Sequence, residues 1–223
     1  MPGTRPTKSQ KQGPIPTRKR LPRAERRRAI VDAAARRFAR DGYHLASMAS
    51  LAQEAGITPP ILYDHFPSKR ELYLAVLREQ ARALAAGVGN ATDPASATLE
   101  QRILQTARAF VDFVRARPYA WVLIRTVPAG DPVIVAAHRK LRERARASVS
   151  ETTARDPDFS APPDMSRNDA AALMGQLQWV AYEGLGDWAH EHPEAEPEQL
   201  MAIFMDFMWI GLERLRRGQH WRS

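Results

Sequence analysis

The chain has 223 residues, 44% hydrophobic and 26% charged, with no cysteine, which excludes disulfides, thiolate metal sites and a cysteine nucleophile. Its longest uninterrupted apolar run, Tyr119–Ile124, is far short of the roughly 18 residues needed to span a bilayer, and no signal-like apolar stretch follows the basic N-terminus, so a cytoplasmic protein is expected. The net charge of +8 is uneven: residues 1–70 are net +10 and residues 71–223 net −2, the balance of a polyanion-binding head on a near-neutral body.

Residues 1–22 are Pro, Gly, Ser, Thr, Gln and basic side chains with almost nothing apolar, too little burial to offset ordering entropy, and are expected to form a disordered basic arm. A first helix is expected from Arg23, with Ile30, Ala33, Ala34, Phe38 and Ala39 on one face and Asp41-Gly42 as its stop. A second covers Met48–Ala55 behind an N-cap at Ser47, and Gly56 ends it. A third covers Pro59–Phe66, capped by Thr58, with Pro59 at the first helical position, where no amide partner is lost. Ser68 caps a fourth that runs to about Gly87, and Glu71 stands at the capping-box spacing. Further helices are expected near 95–116, 119–126, 132–154, 166–189 and 196–217, separated by Pro, Gly and Asp breaks. No segment alternates with period two for long enough to predict a sheet, so the fold class is all-α.

The block 26–77 holds two short helices joined by the tight turn Ala55-Gly56-Ile57-Thr58 and supported by the helix before them. This is the pattern of a helix-turn-helix, whose second helix can enter a major groove about 12 Å wide. Phe38, Met48, Leu51, Ala52, Ile57, Leu62 and Phe66 supply its core. Spacing alone leaves other readings open: a helical enzyme or ligand carrier with a structural N-terminal bundle, or an architectural protein that binds DNA through its tail.

The residues narrow the choice. The runs Ala29-Ile30-Val31-Asp32-Ala33-Ala34, Asp41-Gly42-Tyr43, Leu51-Ala52-Gln53-Glu54-Ala55-Gly56-Ile57 and Ile61-Leu62-Tyr63-Asp64-His65-Phe66-Pro67-Ser68-Lys69-Arg70-Glu71-Leu72 resemble the DNA-binding domain of the tetracycline-repressor-like (TetR) family over some 50 residues. The resemblance implies an N-terminal three-helix helix-turn-helix domain over 23–70 and a C-terminal helical ligand-binding and dimerisation domain over 71–223. It implies a homodimeric, ligand-responsive repressor that leaves a palindromic double-stranded DNA operator when a small-molecule effector binds, with no membrane partner.

Carried over by position, Ser47 caps the second helix and meets a phosphate, Thr58 caps the recognition helix, Tyr63 and Lys69 bind backbone phosphates, and His65 contacts the backbone. Each has a plainer alternative as a cap or a packing group. Pro59-Pro60 departs from the more common Lys/Arg-Gly pair; Pro59, Pro60 and Ile61 then lead the recognition helix with apolar surface suited to thymine methyls. Arg27 and Arg28 close the basic cluster that abuts the first helix, beside the DNA backbone.

The body supplies no catalytic signature: there is no glycine-rich phosphate loop, nucleophile elbow or HExxH, and His190, His192 and Asp187 lack a matching metal-ligand set. No enzyme activity, metal or cofactor is expected. Candidates for an effector pocket are Phe110, Trp121, Arg125, His138, Met174, Gln178 and Tyr182. Ala171, Ala172 and Gly175, with the nearly all-round apolar Met201–Leu212, are the expected dimer surface.

Overall fold

The computed structural model describes residues 22–91 and 98–220, and among these it contains nine α-helices and no strand. They are α1 Arg23–Leu45, α2 Met48–Glu54, α3 Pro59–His65, α4 Lys69–Ala91, α5 Leu99–Ala116, α6 Pro118–Arg125, α7 Pro132–Arg155, α8 Arg167–Glu191 and α9 Pro197–Arg216. Each expected helix has a counterpart. Apart from Pro22, the expected arm lies outside the described residues, as do residues 95–97.

Local chemistry sets the boundaries. Gly42 breaks α1 with φ 74° and ψ 165° but does not end it; one more turn, Tyr43–Leu45, follows. The break swings Tyr43 against Tyr73, ring centroids 5.1 Å apart, so core packing explains the extra turn that propensity alone does not. Ser47 and Ser50 form a reciprocal cap on α2, each hydroxyl accepting the other's backbone N–H at 3.0 Å. The turn into α3 is a Schellman motif: Gly56 N donates to Gln53 O and Ile57 N to Ala52 O, both at 3.0 Å, with Gly56 at φ 64°.

Thr58 stands at the N-cap of α3 without a side-chain cap bond, contrary to the capping role expected of it. Pro59 and Pro60 occupy the next two positions, so one of the two amides that a cap hydroxyl ordinarily serves is missing. Further on, Thr98 and Gln101 form a full capping box on α5, Asp131 caps α7 through Val133 N and Ile134 N, and Ser166 caps α8 through Asp169 N.

The first core joins Ile30, Val31, Phe38, Leu51, Leu62 and Phe66 of the helix-turn-helix to Leu72, Tyr73 and Val76 of α4, and to Leu123 of α6 and Ile134 of α7. It thus crosses the division expected at residue 70. Met48 and Ile57 pack against it partly buried. The second core lies among α5, α6, α8 and α9, around Phe110, Trp121, Tyr182, Phe204 and Met208. A third, smaller one gathers Leu99, Phe159, Ala170, Ala171 and Leu212.

Candidate nucleic-acid interface

The Schellman turn fixes α3 across α2 and leaves one side of the head uncovered. Ser47, Thr58, Pro59 and Pro60 are exposed, Tyr63 is 50% exposed, and Ile61 and His65 are half-buried. Leu45, 83% exposed, stands two residues before Ser47. The helical periodicity did not single it out, because it follows the break at Gly42.

Lys69 is already engaged. Its Nζ donates to the His44 carbonyl at 3.2 Å and lies 4.7 Å above the Tyr43 ring, so it neutralises the carbonyl end of α1. Arg27 stacks its guanidinium 4.5 Å over Phe66, the residue that follows α3, while Arg28 is exposed. The N-terminal turn of α1 therefore meets the C-terminal end of α3. Burial lowers the pKa of His65, and the positive charges of Arg23, Arg26 and Arg27 lower it further against the opposing pull of Asp64. Glu54 accepts from Arg40 at 3.0 Å and pairs with Arg36, tying α2 to α1. Arg40, followed by Arg36, holds its carboxyl below the usual range.

A seam joins this head to the body. His44 Nε2 meets the Ala129 carbonyl at 2.9 Å, Arg70 Nε donates to Asp131 at 2.7 Å, and Tyr73 and His138 share a buried hydrogen bond of 3.0 Å. Arg70 and Asp131 escaped the sequence reading because their pairing spans 61 positions.

In the body the candidate pocket residues divide. Phe110 stacks edge-on against Trp121 at 5.3 Å and against Tyr182 at 5.8 Å, and Gln178 is buried one turn before Tyr182 on α8. Arg125 is exposed and paired with Asp187 at 3.0 Å; the same carboxylate accepts the Trp121 indole N–H at 3.1 Å. His138 belongs to the seam, and Met174 packs on the third core. An open cleft of about 410 Å³ lies elsewhere, lined by residues that include Thr98, Trp209, Glu213 and Arg216.

Of the three α8 residues expected at a dimer surface, Ala172 is exposed and the other two face inward. Ala171 is buried in the third core and Gly175 is closed off by Arg146 and Ser150 of α7, so both serve contacts within the chain. The uncovered apolar stripe of α8 is instead Leu173, Leu177, Val180 and Trp188. On α9 it is Ile203 (72% exposed), Phe207 (73%) and Ile210. The α9 steps are four and three and the α8 steps four, three and eight, each close to a whole number of turns, hence one face of each helix.

Residues 30–76 match the family of bacterial regulatory proteins named for tetR. The transcriptional activator FasR of Mycolicibacterium smegmatis is 30% identical over 197 residues, 88% of this chain and 87% of that protein. The chain belongs to the tetR family. This regulator is a helix-turn-helix protein that acts on transcription. A transcriptional repressor of Mycobacterium tuberculosis, Rv1474c, is 40% identical over 63 residues, 28% of this chain and 34% of its own. A TetR-like regulator from Rhodococcus sp. RHA1 has the same fold, with a TM-score of 0.72 and 25% identity over 87% of this chain and 99% of that one. No described helix of the regulator is long and apolar enough to cross a membrane, and no described cluster of three or more His, Asp or Glu could hold a metal ion.

Proposed function

We propose that the regulator is a cytoplasmic, nucleoid-associated homodimeric repressor that occupies a near-palindromic operator and leaves it when a small molecule enters the body. The paired stripes on α8 and α9 carry this reading: seven large apolar side chains face water on two helices of the same body, an arrangement that a two-fold partner would cover. Two heads so joined sit on successive major grooves about 34–36 Å apart or somewhat more.

In this reading Ser47, Thr58, Tyr63, His65 and Lys69 meet phosphates, with Arg27 and Arg28 beside the neighbouring backbone. Pro59, Pro60 and Ile61 lead into the groove. The aromatic cluster of Phe110, Trp121 and Tyr182, with Gln178 beside it, is the effector region; apolar rings with few polar groups favour a largely apolar effector. Neither a cofactor nor catalysis enters the reading. The name of the FasR relative favours activation as the second reading of the same DNA-bound state.

Sedimentation at micromolar concentration tests the dimer. Wild type should sediment as a dimer and Phe207→Glu as a monomer that has lost cooperative operator binding. A monomeric wild type overturns the proposal. Transcription from a promoter carrying an operator selected from a random duplex pool, with and without the protein, separates repression from activation.

A further inference from the structure

We propose that Leu45 is an apolar DNA contact: its side chain packs on the deoxyribose between the phosphates that meet Ser47 and Lys69. The inference rests on the head binding DNA and deepens that interface. Leu45 is the last residue of α1 and follows Phe38 by seven positions, close to two turns of a continuous helix. An unbroken α1 would therefore bury it on the face that carries Ile30, Ala34 and Phe38. Gly42 prevents this. Its φ of 74° and ψ of 165° lie in a region open essentially to glycine alone, and the break turns the three residues after it. Tyr43 packs on the core, and Leu45 goes into water, 83% exposed, more than any residue of the α8 and α9 stripes.

Its neighbours hold it there. The His44 ring meets the Ala129 carbonyl at 2.9 Å, and the His44 carbonyl accepts from Lys69 Nζ at 3.2 Å. On the other side Ala46 is fully buried, its N–H donating to the Gly42 carbonyl at 3.3 Å, and Ser47 opens the reciprocal cap of α2. With the backbone pinned on both sides, little freedom remains to be lost when the side chain meets a surface. That surface is continuous with the candidate DNA interface. Leu45 stands in the chain between the residue that Lys69 touches and Ser47, so a strand whose phosphates meet both runs past it. Between successive phosphates the strand presents deoxyribose, whose C–H edge suits a leucine and whose contact fixes position without reading sequence. An apolar side chain taken out of core register is a local inconsistency of the kind that functional surfaces carry.

The test measures the affinity of the full chain for a fluorescein-labelled duplex selected from a random pool, across a range of salt concentrations. Leu45→Ala should weaken binding about fivefold per head, the worth of roughly 40 Å² of apolar surface. The slope of log affinity against log salt should not change, because no phosphate charge is released, whereas Lys69→Ala lowers it. Leu45→Asn, close in size but polar, should lose as much, and Leu45→Met should stay within about twofold of wild type. The melting temperature of all three free variants should match wild type, since the side chain is exposed. In the complex of the methyl-labelled wild type, the Leu45 δ-methyls should show nuclear Overhauser contacts to deoxyribose protons. An unchanged affinity, a loss that comes with a lowered melting temperature or with dissociation to monomers in sedimentation, a changed salt slope, or absent contacts overturns the proposal while leaving DNA binding intact. Failure of the wild type to bind any duplex overturns both.

Discussion

Tyr73 and His138, both buried, share a hydrogen bond of 3.0 Å that ties the first turns of α4 to α7. Tyr73 also packs edge-on against Phe38 at 5.2 Å and Tyr43 at 5.1 Å, so the pair connects the ring cluster of the head directly to the body. Burial raises the pKa of the Tyr73 hydroxyl and keeps it protonated. Burial, with the charge of Arg142 beside it, pushes His138 down to about 4.

Tyr73→Phe should therefore cost about 1–3 kcal/mol, because it strands Nε2 of a buried imidazole. The same pair sets an acid limit. The unfolded chain protonates His138 near 6.5, whereas the folded chain resists until about 4. Stability should be flat above about pH 6.5 and fall as pH drops towards 4, by on the order of 3 kcal/mol. Urea denaturation across that range checks it, and His138→Phe, which cannot take the proton, should flatten the slope.

Two glycines sit where helices approach too closely for a side chain. A Cβ on Gly186 would lie 2.7 Å from the Trp121 ring and 2.8 Å from Phe110; on Gly175 it would run into Ser150 Oγ and lie 3.0 Å from the Arg146 carbonyl. Alanine at either position should destabilise by about 1–3 kcal/mol through overpacking. Gly186→Ala should in addition shift the tryptophan fluorescence, because Trp121 must move and its indole bond to Asp187 with it. A thermal melt with an emission spectrum distinguishes the two.

Lys69→Ala should weaken binding to all DNA sequences alike and lower the slope of log affinity against log salt by about 0.9 per lost phosphate contact in each head. The lysine also holds the His44 carbonyl and the Tyr43 ring, so a small loss of thermal stability should accompany it. An effect confined to one base position, at unchanged salt slope, would contradict the phosphate role.

Pro59 and Pro60 offer the groove no hydrogen-bond donor. Replacing thymine by uracil beneath them removes a methyl and nothing else, and should cost about 0.5–1 kcal/mol per position, below the roughly 1–3 kcal/mol of a bidentate contact. Fluorescence anisotropy with matched duplexes reads the difference, and equal affinities would remove these prolines from base discrimination.

The head was legible in the sequence because its determinants are local. Ser47, Gly56 and Pro59 act on residues no more than a few positions away, and the apolar spacing from Ile30 to Phe66 needs no distant partner to be read. Even there, Thr58 keeps its cap position without the cap bond, because the prolines that announce the helix also remove an amide it would have used.

What tertiary structure alone decided is which face each long helix buries. Gly175 and Leu177 are two residues apart on α8, yet one is closed against Ser150 and the other faces water, because α7 docks on one side only. The seam of His44, Arg70, Tyr73, Asp131 and His138 likewise joins positions more than 60 residues apart, and no periodicity can register such pairs. Local patterns specify a helix and its ends; the choice of neighbour is set by packing between segments that the chain brings together only when it folds.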